Sequence, residues 1–139
     1  MKIKIFNKIN SQLVREGQAT VRMNTKTGMI SFSKSVCKNL GLKDKTKVLF
    51  IQDEENPKDW YIVVTKSDEG MICKYRVRRD QHYETTTVQS TYICREIAKS
   101  CNIEVISFSF LIAATPTTEH NMDMYAIITD SVNTLIRKK

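Results

Sequence analysis

The chain has 139 residues, of which 22 are Lys or Arg and 15 are Asp or Glu, so that its formal net charge is +7. That length suffices for one hydrophobic core, and no segment is polar enough to predict a disordered linker. No apolar run approaches the roughly 20 residues of a transmembrane helix. Lys and Ile alternate over residues 1–6, which does not fit the continuous apolar stretch of a signal peptide. We therefore expect a single cytoplasmic domain over residues 1–139, with no membrane partner.

In the first half of the chain, strand patterns with a period of two surround one short helix pattern. The predicted strands are residues 1–6, 19–24, 29–33, 47–52 and 60–65. A tight turn is expected around Gly28, because glycine takes the positive φ that such a turn needs. Ser33 or Ser35 can cap a short helix over residues 36–40, and Gly41 is expected to end it.

The second half of the chain repeats this order of patterns. Its predicted strands are residues 71–78, 85–89, 105–114 and 122–129. The clearest helix pattern covers residues 91–100, and Cys94, Ile97 and Cys101 fall on one stripe that is expected to face the core. An amphipathic segment with a basic end predicts a short C-terminal helix over residues 130–139.

The two halves align with each other at a fixed shift of 57 residues. The alignment runs without a gap from Ser33 and Ser90 into the next strand, and one Cys, one basic residue and several apolar residues coincide within it. A shared helix period alone would give fewer coincidences. We therefore predict an α+β fold made of two tandem ββαββ-type repeats, about residues 18–66 and 70–129. These repeats are expected to form one compact sheet or barrel with short helices.

The first repeat has a distinctive order of features: a turn glycine, an apolar strand, a basic helix start, a Leu-Gly-Leu stop and a charged turn. It resembles the swapped-hairpin (SpoVT–AbrB) domain of the AbrB/MazE family, in a partial match over about residues 19–52. The matching positions are Gly28, Ile30, Phe32, Lys34, Val36, Leu40, Gly41, Leu42, Lys43, Asp44 and Val48. The family usually has Pro where this chain has Ser33, and Arg where it has Met29. The resemblance implies DNA-binding transcriptional regulators in which two such units pair into one interlaced barrel.

Motifs for enzyme chemistry are absent from the chain. It has no glycine-rich nucleotide motif and no serine-hydrolase motif. His82 and His120 lie in polar segments that are typical of a solvated surface. The four cysteines have no C-x-x-C spacing, so that no zinc site is predicted. We therefore expect no enzyme activity, no catalytic residue, no metal and no cofactor.

A basic strand pattern begins at Lys74. On a strand, Lys74, Arg76 and Arg78 project from one face, and successive members of this set lie about 6.7 Å apart. The candidate nucleic-acid-binding residues are Arg22, Lys26, Lys34, Lys74, Arg76, Arg78 and Arg79. The alternative is a solvated face whose charges are balanced by acids on a neighbouring strand. The aromatic residues available either for base stacking or for the core are Phe32, Trp60, Tyr75, Tyr83 and Tyr92.

Three classes of function fit these patterns. Our prediction is a non-enzymatic nucleic-acid-binding protein, a basic AbrB-like transcription regulator that binds DNA in preference to RNA and can form a homo-oligomer. The first alternative is a single-stranded nucleic-acid binder that presents a basic sheet, as Whirly-like proteins do. The second alternative is a structural or assembly subunit of a phage or mobile element, whose basic charge only aids solubility.

Overall fold

The structure, a computed structural model, describes residues 18–78 and 83–134 and is mostly antiparallel sheet with two short helices, as an α+β fold requires. The strands are β1 (Thr20–Asn24), β2 (Met29–Phe32), β3 (Lys47–Gln52), β4 (Trp60–Thr65), β5 (Met71–Ile72), β6 (Lys74–Arg78), β7 (Tyr83–Gln89), β8 (Ser107–Ile112), β9 (Thr117–Glu119) and β10 (Met122–Thr134). The helices are α1 (Lys34–Leu40) and α2 (Thr91–Ser100).

The strands form a nearly closed barrel. Their order is β5-β3-β4-β10-β8-β1-β2-β7-β6, and β9 pairs with β10 outside this path. The first and last strands of the order, β5 and β6, are separated along the chain by Cys73 alone. The two ends of the sheet are therefore joined by one continuous segment, which leaves little exposed sheet edge.

The core lies inside the barrel and follows the alternation of each strand. On β1, Val21 and Met23 are fully buried while Arg22 between them is exposed. Phe32, Phe108 and Phe110 are the largest of the fully buried side chains that the structure describes. Since cross-strand partners point to the same side of a sheet, the pairing of Val21 with Phe32 and with Phe110 stacks apolar residues inside the barrel.

The second helix begins at Thr91 as predicted, whereas the first begins at Lys34, two residues before its predicted start. Ser33 caps α1 by accepting the backbone N–H of Val36, and Gly41 ends it with a left-handed φ of 69°. Ser90 caps α2 in the same way through Ile93. Cys94 and Ile97 are fully buried as predicted, and Cys101 packs against the core while partly exposed. No helix among the described residues is long and apolar enough to cross a membrane.

The prediction of one strand over residues 71–78 is wrong at Cys73. The backbone N–H of Cys73 donates to the Thr46 carbonyl at 2.7 Å, and its own carbonyl accepts the Lys45 N–H at 2.8 Å. These bonds tie Cys73 to the loop before β3, so that the strand breaks into β5 and β6. The strand predicted over residues 1–6 lies outside the described residues.

The predicted helix over residues 130–139 is wrong in its described part, because β10 continues to Thr134. The register between β8 and β10 shifts between Ile128 and Asn133, which marks a bulge. Within the bulge, the Ser131 hydroxyl accepts the backbone N–H of Leu111 at 2.9 Å and donates to the Ile128 carbonyl. This serine therefore satisfies backbone groups of the sheet, which favours the extended chain over a helix.

Gly28 offers a direct test of how the first hairpin meets α2. It has a φ of +77°, and a Cβ there would lie 2.6 Å from the backbone nitrogen of Thr91. Gly41 has a similar φ of +69°, but no atom of the described residues lies within 4 Å of such a Cβ. We predict that Gly28→Ala lowers the free energy of unfolding by about 3 kcal/mol and Gly41→Ala by only about 1 kcal/mol, measured by urea denaturation. Equal losses would contradict the close packing of the turn on α2.

Candidate nucleic-acid interface

The outward face of β1 presents Arg22 between two serines. Arg22 lies directly opposite Ser31 on β2 and Ser109 on β8. Both serines are partly buried, whereas Arg22 is exposed. Because directly opposite residues of antiparallel strands share a face, the three side chains form one polar row outside the barrel.

The same row continues across two more strands to Lys74. Ser31 lies opposite Thr87 on β7, and Thr87 lies opposite Lys74 on β6. Arg22 and Lys74 therefore project from the same face, three strand spacings or roughly 14 Å apart. Arg76 lies two residues further along β6, opposite Thr85. Three of the predicted basic residues are thus brought onto one surface.

We call this surface the basic face: the outward positions of β6, β7, β2, β1 and β8. Its described side chains are Lys74, Arg76, Thr85, Thr87, Gln89, Met29, Ser31, Thr20, Arg22, Asn24, Ser107, Ser109 and Leu111. The set includes three cations and no carboxylate. The neighbours of these cations on adjacent strands are hydroxyl residues, which do not balance their charge.

Ion pairing does not neutralise the basic face within the described part of the chain. The one salt bridge there joins Lys47 Nζ to Asp68 Oδ1 at 3.2 Å, away from the face. Asp44 touches the outer edge of β6, where its Oδ1 accepts the backbone N–H of Tyr75 at 3.1 Å. This carboxylate bonds to the backbone and forms no salt bridge with Lys74 or Arg76.

The other predicted basic residues lie elsewhere. Lys26 is in the turn after β1 and Lys34 begins α1, so that they lie at opposite ends of β2. The backbone of Arg78 pairs with Tyr83, at the next alternate position after Arg76. Arg79 lies outside the described residues.

A second basic cluster surrounds Lys26. A cavity of about 440 Å³ is lined by Lys26 and by Arg95 and Lys99 of α2, together with Glu104. The sequence analysis missed Arg95 and Lys99. Their spacing of four residues on a predicted helix was the available signal, since it places both on one side of that helix.

The aromatic residues divide between core and surface. Phe32 is fully buried, and Trp60 is buried with its Nε1 donating to Ser100 Oγ at 2.8 Å. Tyr75 and Tyr92 are exposed, at 44% and 69% of their surface. Of the five candidate aromatic residues, these two are therefore the exposed ones among those whose side chains are described.

Cys73 and Cys94 are buried, whereas His120 lies in an exposed turn. Burial raises the pKa of the Cys73 thiol to about 11, with a smaller effect of Cys37, and burial likewise raises the pKa of the Cys94 thiol to about 11. These thiols stay neutral at physiological pH. His120 is exposed in the turn between β9 and β10, with a φ of 52°. Over residues 18–78 and 83–134, no three His, Cys, Asp or Glu side chains group as metal ligands.

Comparisons of this chain with protein-family models, with curated proteins and with solved structures found no match. The basic face must therefore be interpreted from its own geometry.

Unpaired cations on one face predict a measurable effect of salt on stability. Lys74 and Arg76 lie closer together than the screening length at physiological salt, about 8 Å, so that they repel each other. We predict that Arg22→Gln, Lys74→Gln and Arg76→Gln combined change the free energy of unfolding by less than about 0.5 kcal/mol at high salt and raise it at low salt. Urea denaturation at the two salt concentrations measures this.

The matched control replaces three exposed loop lysines, Lys43, Lys58 and Lys66, by Gln, which removes the same net charge. Its stability should respond less to the removal of salt. A face variant that loses more than about 1 kcal/mol at both salt concentrations would show that these cations hold the fold together.

Proposed function

We propose that this protein is a non-enzymatic nucleic-acid-binding protein, with DNA as its preferred ligand, and that the basic face holds the phosphate backbone. The observation that carries the proposal is the row from Lys74 to Arg22, which crosses four strands without a carboxylate. Phosphate contacts come chiefly from Arg, Lys and hydroxyl side chains. The row has exposed cations at its two ends and the partly exposed hydroxyl of Ser31 between them, while the hydroxyl of Thr87 is buried.

The spacing of the cations also suits a phosphate chain. Lys74 and Arg76 are two residues apart on a strand, a separation of about 6.7 Å. Neighbouring phosphates of one nucleic-acid strand are farther apart than their axial rise of about 3.4 Å, because the backbone winds around the axis, so that the separation of the two cations suits neighbouring phosphates. Arg22 lies across the strands from them and would contact a different part of the backbone.

We further propose that residues 18–66 and 70–129 are tandem ββαββ repeats. The strand order forms a circle when the β5–β6 segment is counted as one strand. In this circle we take as counterparts β1 and β6, β2 and β7, β3 and β8, and β4 and β10. Replacing every strand by its counterpart gives the same circle of neighbours, read in the opposite direction. The capping serines of the two helices, Ser33 and Ser90, are 57 residues apart, which is the shift of the sequence alignment. Both observations support an internal duplication with approximate two-fold symmetry.

This duplication supports the AbrB-like form of the proposal. The resemblance implies a barrel made by two interlaced units, and here the two repeats would supply both units within one chain. The proposed role is then a DNA-binding transcription regulator. A homo-oligomer is compatible with this role and is not needed to complete the barrel.

The assembly-subunit alternative has one observation in its favour. The β9–β10 hairpin leaves the main strand path, and all three residues of β9 are exposed. An exposed strand edge of this kind can pair with a partner chain. This alternative predicts no salt-dependent binding of nucleic acid.

The dependence of binding on salt tests the proposal. Each neutralised phosphate contact releases condensed counterions, so that the affinity falls linearly with salt on logarithmic axes. Replacing Arg22, Lys74 and Arg76 by Gln should lower that slope by about three for duplex DNA, or by about two for a single strand. The loss should be similar for unrelated sequences, because phosphate contacts carry no base information.

The same loop control, Lys43, Lys58 and Lys66 replaced by Gln, should leave the slope nearly unchanged despite an equal loss of net charge. An unchanged slope in the face variant would show that the basic face is only solvated. A parent protein that binds no nucleic acid at low salt would remove the proposal and favour the assembly-subunit alternative.

A further inference from the structure

The barrel is open at one seam, where the chain changes neighbours. The pairing between β6 and β7 starts at Lys74 opposite Thr87 and includes no residue before Lys74. The two residues before Cys73 pair with β3 instead, Met71 opposite Val48 and Ile72 opposite Lys47. As a result, the edge of β7 that faces β6 has no described strand partner at Val88 and Gln89.

The counterpart seam in the proposed duplication is closed. There β8 pairs with β1 over five consecutive residues, from Thr20 opposite Leu111 to Asn24 opposite Ser107. The equivalent contact between β3 and the β5–β6 segment has only two pairs. The open seam is therefore a departure from the approximate symmetry, and it lies beside two cations of the basic face.

A groove of about 420 Å³ occupies the open seam, and we call it the seam groove. Its lining includes Met29, Met71, Ile72, Lys74, Arg76 and Gln89. The volume is at the lower end of the range for small-ligand sites, about 300 to 1,000 Å³. The groove thus has room for a small planar group and combines an apolar lining with two cations.

The chemistry of the lining suits a nucleobase with its phosphate. Met29 and Met71 are partly buried and Ile72 is 56% exposed, so that apolar surface is open to a ligand. Gln89 Nε2 donates to the Thr27 carbonyl at 3.0 Å. That bond orients the amide and leaves Oε1, which has no described protein partner, as an acceptor for the edge of a base. Among the described residues, no carboxylate lines the groove to repel a phosphate.

We propose that the seam groove binds one unpaired base of a single-stranded DNA segment whose phosphates lie on Lys74 and Arg76. A base within a duplex is stacked and paired, and it enters a pocket only after it is extruded from the helix. This inference rests on the proposed binding of DNA phosphates by the basic face and narrows the ligand to unpaired DNA, because the groove adds binding energy that only unpaired DNA can use. A strong preference for single strands would favour the single-strand binder over the duplex regulator.

The test compares three probes on the full chain: a single-stranded DNA oligonucleotide, an abasic oligonucleotide of the same length, and the duplex. The abasic probe keeps the phosphates and removes the bases. We expect the parent protein to bind the base-bearing single strand about tenfold more tightly than the abasic one. The variant Ile72→Ala with Gln89→Ala should lose that preference and keep the salt slope, because Lys74 and Arg76 are unchanged.

The control variant is Ile128→Ala with Gln52→Ala, which makes the same substitutions at two exposed positions outside the groove. Gln52 Nε2 also donates to a backbone carbonyl, that of Pro57 at 2.8 Å, so that the chemical change is matched. This control should keep the preference for bases.

The outcomes separate the two proposals. Equal affinity of the parent for base-bearing and abasic strands, or a groove variant that keeps the preference, would overturn the seam groove as a base site while phosphate binding stands. A parent that binds none of the three probes at low salt would overturn the proposed function and the groove proposal together.

Discussion

The register of the antiparallel strands around β1 is the constraint on which the rest of the structure depends. Val21, Phe32 and Phe110 lie opposite one another on three strands and are at most 1% exposed. A slip of one residue in any of these pairings would move the apolar row outside the barrel and the polar row into it. The burial of this one row therefore also determines that Arg22 faces outward, in line with Lys74.

The near-closure of the barrel depends on the path of the chain at Cys73. A closed sheet has no open edges, and this chain almost reaches closure through the β5–β6 segment. The backbone of Cys73 bonds to the loop before β3, which moves the preceding residues away from β7. The seam that opens there is where apolar side chains and cations come together at the surface. The path of the backbone thus explains both the buried thiol and the adjacent groove.

Local signals in the sequence were sufficient for the helices and for most strands. The N-cap at Ser33, the C-terminal stop at Gly41 and the period of the 91–100 helix depend on neighbouring residues, and the structure has all three. The break at Cys73 and the extension of β10 to Thr134 depend on bonds to distant residues, the Thr46 carbonyl in one case and the Leu111 N–H in the other. No window of local sequence contains those partners.

The candidate site, like the fold, was predictable where it depends on neighbouring residues but not where it depends on residues distant in the sequence. Alternation along β6 placed Lys74 and Arg76 on one face, but their alignment with Arg22 requires the register across β2 and β7. Lys26 and Lys34 are close to Arg22 in sequence and lie at the two ends of β2, because the hairpin separates them. The contact between the Lys26 turn and α2 is likewise a tertiary one, so that Arg95 and Lys99 could not be joined to Lys26 from the sequence.

Amide chemical shifts measured during a titration with DNA test the central claim most directly, because they report the contacted surface residue by residue. Binding on the basic face predicts that the largest changes occur at Arg22, Ser31, Thr87 and Lys74. The hairpin between β3 and β4, which carries Asp53 and Asp59, should remain unchanged. Chemical-shift changes that are confined to the β3–β4 hairpin or to the β9–β10 hairpin, with none on the basic face, would contradict the account.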